Sequence, residues 1–122
     1  MTARPAESSP PVRTLIANHR DRPLVVPGVG TPLEARLCVS AGFRAVYQSG
    51  YATASWRYGQ PDIGLIALEE TATALQSVAE AVDVPIICDA DTGYGDVANA
   101  ARTVRRLERM GASAIQLEDQ SW

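Results

Sequence analysis

The sequence predicts an α/β fold made of parallel βα repeats. Its most apolar segments are short and continuous, which is typical of strands buried on both faces of a parallel sheet. Segments with helical spacing of apolar residues lie between them, so the order is strand, helix, strand, loop, helix, strand, helix, strand. This alternation predicts right-handed βαβ units, in which each crossover returns the chain to the start of the next strand.

Four short apolar segments are expected to form the strands: residues 24–28, 44–49, 84–90 and 112–119. The first expected helix, residues 31–42, carries signals at both of its ends. Thr31 suits the N-cap, Pro32 suits the first helical position, and Glu34 completes a capping box. Gly42 suits the stop at the C-terminal end.

Two further helices are expected, at residues 68–82 and 96–111. The apolar spacing of the second of these predicts a buried stripe, made of Val97, Ala101, Val104 and Leu107. The same helix carries a cluster of arginines that we interpret as a solvated outer face: Arg102, Arg105, Arg106 and Arg109.

Four strands make half of a (β/α)₈ TIM barrel, which needs about 250 residues. The length of 122 residues therefore predicts half a barrel, and an open four-stranded α/β protein is the alternative. Residues 1–12 are expected to form a disordered polar tail. Residues 13–122 are expected to form the partial barrel domain, with strands one to four.

Composition limits the classes of function. A net charge of −3 gives no basic surface for nucleic acid or an anionic membrane, and no apolar run approaches the roughly 20 residues of a membrane span. The first residues lack the apolar core of a signal peptide, so a cytoplasmic protein with reduced thiols at Cys38 and Cys88 is expected. All eleven basic residues are arginine, which excludes Schiff-base, pyridoxal phosphate and P-loop chemistry that depends on lysine.

Acidic side chains follow the third and fourth expected strands. Asp89 and Asp91 are two residues apart and point to the same side of an extended chain, and Glu118 closes the next strand. Active sites of α/β proteins form at the carboxyl edge of the sheet, so three carboxylates are expected to gather there. Their repulsion predicts a shared proton or a bound cation, and oxygen-only ligands favour Mg²⁺. The alternative is that Asp91 caps the following turn and Glu118 is solvated.

Four segments together carry a family resemblance. They are AGFRAVYQSG, QPDIGLIALEE, VPIICDADTGYG and GASAIQLEDQ, and they lie within residues 24–122. In order and spacing they resemble the isocitrate lyase/phosphoenolpyruvate mutase superfamily. The resemblance implies the N-terminal half of a TIM barrel, truncated before the mobile catalytic loop with a K-x-C-G-H motif that would follow Trp122.

The resemblance also implies roles for the acidic residues. Asp89 and Asp91 match the carboxylates that hold Mg²⁺, mostly through bound waters. Asp62 of QPDIG and Glu118 of QLEDQ match acidic residues that complete the surroundings of the metal and the substrate, and both are expected to be catalytic.

A third set of residues is expected to bind the substrate. Tyr47, Ser49 and Gly50 match the Y-x-S-G segment that holds a substrate carboxylate in the family. Tyr51 follows them at a position where many relatives carry Gly or Ala, so it is expected to shape the pocket.

The resemblance implies a Mg²⁺-dependent carbon–carbon lyase of the methylisocitrate lyase type. Its substrate would be a small 2-oxo- or 2-hydroxy-dicarboxylate or tricarboxylate, cleaved through an enolate. The alternatives are a phosphonomutase, such as a carboxyvinyl-carboxyphosphonate phosphorylmutase, and a non-catalytic truncated half-barrel. The expected partner is the small carboxylate or phosphonate substrate, with neither nucleic acid nor membrane, and a full-length relative would be a homo-oligomer. Residues 1–122 alone are expected to be inactive.

Overall fold

A computed structural model describes residues 10–120. The four strands form one parallel sheet in the order β1–β2–β3–β4, and they comprise Gly28–Val29, Val46–Gln48, Ile86–Asp89 and Ala114–Gln116. Each strand lies beside its predecessor in the chain, so the sheet grows in one direction, as in a barrel, and does not reverse as in a doubly wound sheet. The predicted class of parallel βα repeats is confirmed.

The first strand is shorter and begins later than expected. Strand β1 was predicted over residues 24–28, and pairing starts only at Gly28. Pro27 has no N–H to donate to a neighbouring strand. It takes part in the sheet through its carbonyl, which accepts a hydrogen bond from the Tyr47 amide at 2.8 Å. Val25 is 61% exposed, so the apolar run before Pro27 is not a buried strand.

The helices are α1 (Val12–Ala17), α2 (Pro32–Ser40), α3 (Gly50–Ala52), α4 (Leu68–Ala79) and α5 (Val97–Arg109). Helix α1 was not expected; it begins at Val12, the last residue assigned to the polar tail, while residues 1–9 of that tail lie outside the described range. The expected capping box of α2 is present: the Thr31 hydroxyl accepts from the Glu34 amide at 3.3 Å, and the Glu34 carboxylate accepts from the Thr31 amide at 2.9 Å.

A short π-helix, Thr53–Arg57, continues directly from α3. The sequence analysis treated this part of the chain as a loop. Five-residue π-helical turns are rare and occur frequently at functional sites. Here the π-helix follows the Y-x-S-G segment at the end of β2.

The core lies between the sheet and helices α4 and α5, and its fully buried members include Leu75, Val78 and Leu107. The buried stripe predicted for α5 was partly wrong, because Val97 is 89% exposed and Ala101 is exposed as well. Thr103 is buried instead, and its hydroxyl donates to the Gly93 carbonyl at 2.9 Å. A polar residue on the inner face therefore ties α5 to the turn after β3.

The arginine face of α5 makes one ion pair. Arg106 contacts Glu69 of α4 at 2.7 Å, and this guanidinium lowers the pKa of the Glu69 carboxyl. Both side chains are largely exposed, so the pair adds little to stability. Within residues 10–120, no helix has the length and apolar character needed to cross a bilayer.

Candidate active site

The predicted acidic residues lie at the carboxyl edge of the sheet. Asp89 is the last residue of β3 and is paired with Gln116 of β4. Two residues further along each strand, the Glu118 amide donates to the Asp91 carbonyl at 2.8 Å. The segments that carry the three carboxylates are therefore neighbours, because β3 and β4 run in parallel and end at the same level.

The carboxylates of Asp89 and Asp91 both lie close to Gly50. A methyl group at Gly50 would lie 3.1 Å from Asp89 Oδ2 and 3.6 Å from Asp91 Oδ1. The sum of these two distances limits the separation of the two oxygens to 6.7 Å. The Gly50 amide donates to Asp89 Oδ2 at 3.1 Å, so the chain after β2 is bound directly to the end of β3.

The backbone of Asp91 adopts a left-handed conformation, with φ of 45°. Its amide donates to Asp89 Oδ1 at 3.2 Å, which turns the chain tightly after β3. Burial raises the pKa of the Asp91 carboxyl, the negative charge of Asp89 raises it further, and a hydrogen bond from Tyr94 opposes both effects. Left-handed backbone and a raised carboxyl pKa are both common at functional sites.

Tyr47 approaches the same pair of acids from β2. Burial raises the pKa of its hydroxyl, and the Asp89 carboxylate, to which the hydroxyl hydrogen-bonds, raises it further. The hydroxyl therefore stays protonated at neutral pH and remains a hydrogen-bond donor.

The other residues expected to bind substrate differ in their surroundings. The Ser49 hydroxyl accepts from the Ala52 amide at 3.2 Å and caps α3, which leaves its own proton free to donate. Tyr51 is 62% exposed. The Gly50 amide, expected to bind a substrate carboxylate, already donates to Asp89.

The two residues expected to be catalytic, Asp62 and Glu118, differ in their exposure. Asp62 is exposed in the segment that precedes α4, and its charge contributes less than Asp89 to raising the pKa of Asp91. The Glu118 side chain is partly buried and accepts a hydrogen bond from Gln120. It also contributes less than Asp89 to raising the Asp91 pKa.

The acid pair fits a cation that keeps much of its water. In the part of the chain that the structure describes, no three or more His, Cys, Asp or Glu side chains are grouped so that they could hold a metal ion. Asp89 and Asp91 nevertheless each bring a carboxylate oxygen close to Gly50. Mg²⁺ is usually bound through one or two carboxylates plus waters, so this donor set suits it.

Sequence analysis missed a buried polar group beneath the site. The Gln48 carboxamide is fully buried and contacts the Thr53 hydroxyl at 2.6 Å and the Cys88 thiol at 2.9 Å. Burial raises the pKa of the Cys88 thiol to about 12, so the thiol keeps its proton and donates it. The only signal in the sequence was a polar residue within an apolar strand, next to Ser49.

Comparisons with known proteins identify the family of the chain. Residues 15–121 match the family described as phosphoenolpyruvate phosphomutase. The chain belongs to this family. Two relatives named as lyases are similar to it: a 2-methylisocitrate lyase of Aeropyrum pernix, 50% identical over 97 residues, and a 2,3-dimethylmalate lyase of Eubacterium barkeri, 43% identical over 97 residues.

A solved structure of phosphonopyruvate hydrolase, in complex with oxalate and Mg²⁺, is similar to 90% of the chain with a TM-score of 0.81 and 32% identity. The chain covers 39% of that protein. The alignments with the two lyases include 80% of the chain, but only 31% of the 2-methylisocitrate lyase and 34% of the 2,3-dimethylmalate lyase. The chain therefore spans about a third of the length of the relatives that it matches. These matches confirm the superfamily and show that the four strands correspond to the N-terminal part of a barrel.

Proposed function

We propose that the protein containing this chain is a Mg²⁺-dependent carbon–carbon lyase, methylisocitrate lyase-like, that forms an enolate from a small 2-oxo- or 2-hydroxy-dicarboxylate or tricarboxylate. The observation that carries this proposal is the space between Asp89 and Asp91, whose oxygens both approach Gly50 at the carboxyl edge of the sheet. Two carboxylates in a partly buried position repel each other unless a cation or a proton compensates them. Membership of a family whose relatives include lyases favours the cation.

Each residue of the site has a distinct task in this proposal. Asp89 and Asp91 would hold Mg²⁺, which when bound stabilises the negative charge that develops on an enolate oxygen. The Ser49 hydroxyl has a free proton that it can donate to a substrate carboxylate, whereas the Tyr47 hydroxyl would have to exchange its bond to Asp89 for one to the substrate. Hydrogen-bond donors fixed in advance at this position stabilise charge without reorganising during the reaction.

The Gly50 amide has two possible acceptors. It donates to Asp89 Oδ2 without a ligand, and a substrate carboxylate would compete for the same N–H. The Gly50 N–H would therefore be shared between Asp89 and a bound substrate carboxylate.

We assign the outer acids to the completion of the site. The Glu118 amide donates to the Asp91 carbonyl, so its carboxylate would help to complete the surroundings of the metal and the substrate. Asp62 is exposed, so it would act only once substrate or further parts of the protein cover it.

Two alternatives remain open within the proposal. The match to the phosphomutase family and the similarity to phosphonopyruvate hydrolase favour carbon–phosphorus chemistry, as in a carboxyvinyl-carboxyphosphonate phosphorylmutase, as the second candidate. A chain consisting of residues 1–122 alone would be a non-catalytic half-barrel, because it spans about a third of its relatives. We place the complete protein in the cytoplasm as a homo-oligomer that acts on small carboxylates or phosphonates.

The experiment is a substrate panel with the complete natural protein, with and without a chelator. The panel contains 2-methylisocitrate, 2,3-dimethylmalate, oxaloacetate and phosphonopyruvate. We expect Mg²⁺-dependent cleavage of a carbon–carbon bond in one of the first three. Turnover of phosphonopyruvate alone would support the phosphorus chemistry, and turnover that is indifferent to the chelator would contradict the role of Asp89 and Asp91.

A further inference from the structure

A chain of buried hydrogen bonds lies directly beneath the candidate active site. The Cys88 thiol donates to Gln48 Oε1 at 2.9 Å, and Gln48 Nε2 donates to Thr53 Oγ1 at 2.6 Å. Gln48 and Cys88 are 0% exposed and Thr53 is 1% exposed. In residues 10–120, no buried side-chain nitrogen or oxygen lacks a hydrogen-bond partner, so the carboxamide is well satisfied.

Each member of this chain is close in sequence to a residue of the site. Gln48 ends β2 and is followed by Ser49 and Gly50, while Cys88 immediately precedes Asp89. Gln48 and Cys88 are also paired in the parallel register of β2 and β3. Thr53 begins the π-helix on the far side of the turn.

The Gln48 carboxamide therefore joins the end of β2 to the start of the π-helix and to the end of β3. The candidate site requires these three segments in a fixed arrangement. The turn at Gly50 has the end of β2 on one side and the π-helix on the other, and Gln48 binds across its base. At the top of the same turn the Gly50 amide donates to Asp89 Oδ2 at 3.1 Å. The turn is thus held to β3 twice, once below through Cys88 and once above through Asp89.

An apolar residue of similar shape would fill the same space without the cost of burying an amide. Burying a polar group is unfavourable unless its partners are well placed, and satisfied buried networks rigidify a unique arrangement. A side chain of this kind is well suited to fixing geometry. The geometry in question is the position of the Ser49–Gly50 turn, proposed to hold the substrate carboxylate, relative to Asp89, which is proposed to hold the metal.

We propose that Gln48 is a positioning residue for the active site, holding the Ser49–Gly50 turn against Asp89 through its bonds to Thr53 and Cys88. This inference rests on the proposed function of that turn and of Asp89. Gln48 has no exposed surface, so it acts through these neighbours and does not touch the substrate.

The test uses the complete natural protein and two substitutions that keep volume but remove hydrogen bonds, Gln48→Met and Thr53→Val. Thr53→Ser, which keeps the hydroxyl, is the conservative variant. Val78→Ala is the matched control, because Val78 is fully buried in α4 and its truncation lowers stability without touching the turn. Two quantities are measured where every variant is folded: hydrogen exchange of the Gly50 amide, and the binding of oxalate in the presence of Mg²⁺.

We expect Gln48→Met and Thr53→Val to speed exchange at Gly50 and weaken oxalate binding about tenfold, the usual consequence of leaving a buried polar partner unpaired. Thr53→Ser and Val78→Ala should stay within about twofold of the wild-type protein in both measurements. If the variants without the hydrogen bonds behave like Val78→Ala, Gln48 is only a core residue and the inference is overturned. Thr53→Val decides the matter if Gln48→Met does not fold.

Failure of the proposed function gives a different result. A wild-type protein that binds no oxalate with Mg²⁺ contradicts the enolate-forming site. The exchange measurement needs no ligand, so it still decides whether Gln48 holds the turn against Asp89. The two conclusions are therefore separable.

Discussion

Replacing Asp91 with asparagine should stabilise the protein and abolish its Mg²⁺ binding. Asparagine has nearly the shape of aspartate and tolerates the left-handed backbone found here, with φ of 45°. The substitution removes one of two neighbouring negative charges. It therefore separates the cost of assembling the site from the benefit of the cation that we propose for it.

The size of the effect follows from the separation of the two carboxylates. Unit charges at the upper limit of 6.7 Å repel by about 0.6 kcal/mol in bulk water and by about 2.5 kcal/mol at an effective dielectric constant of 20. Asp91 is only partly buried, so solvent screens part of this repulsion. We expect the free energy of unfolding to rise by about 1 kcal/mol and the melting temperature by about 3 °C.

The effect should depend on pH with a defined sign. The pKa of Asp91 is raised in the folded state, so the folded chain binds this proton more tightly than the unfolded chain does. The wild-type protein is favoured below the unfolded carboxyl pKa of about 4, and it loses that advantage as the pH rises through the raised pKa. The stabilisation by Asp91→Asn should therefore be present at neutral pH and absent near pH 3.

Thermal unfolding with and without Mg²⁺ is the assay. Asp83→Asn is the control, because it removes the same charge from an exposed side chain; it should change the melting temperature by less than about 1 °C. Mg²⁺ at ten times its dissociation constant should stabilise the wild-type protein by about 1.4 kcal/mol and leave Asp91→Asn unchanged. A variant that is less stable than the wild type at neutral pH without Mg²⁺ would refute the repulsion between Asp89 and Asp91.

Three further predictions concern the glycine of the site, a helix cap and the chain itself. Gly50→Ala should lower Mg²⁺ affinity about tenfold, because the added methyl group would lie 3.1 Å from Asp89 Oδ2. Gly28→Ala is the control and should have little effect, because its methyl group would lie 3.7 Å from Ser49 Cβ. Equal Mg²⁺ titration curves for the two variants would contradict this. Thr31→Ala should cost about 1 kcal/mol of stability by removing the cap of α2, with Mg²⁺ affinity unchanged. A purified chain of residues 1–122 should self-associate in light scattering through the open strand edges and turn over no substrate of the panel, and an active monomer would refute this.

Much of the fold follows from local sequence signals. The ends of α2 were predictable because Thr31, Pro32 and Glu34 each satisfy a backbone requirement of a helix start. The position of β1 was not predictable from apolar character alone, because Pro27 lacks the N–H that a strand donates to its neighbour. The burial of Thr103 in place of Val97 depends on a hydrogen bond to Gly93, which helical spacing alone does not show.

The site was predictable to the extent that it depends on spacing within one segment. Asp89 and Asp91 both lie near Gly50, but not as the expected extended pair, because β3 ends at Asp89 and Asp91 lies in a left-handed turn. The alternation of a strand predicted the common edge and not this turn. The role of Gln48 joins residues up to 40 positions apart, and such contacts are not visible in a local pattern. The π-helix was missed for a related reason, since its sequence, TASWR, has no pattern that distinguishes it from a loop.

The most direct test of a cation site at the sheet edge is the anomalous scattering of Mn²⁺, a close substitute for Mg²⁺ at oxygen ligands, in crystals of the complete natural protein. We predict a peak beside Gly50, at coordination distance from Asp89 or Asp91 directly or through one bound water. No peak near these carboxylates, with Mn²⁺ bound elsewhere or nowhere, would contradict the proposal that they hold the catalytic metal.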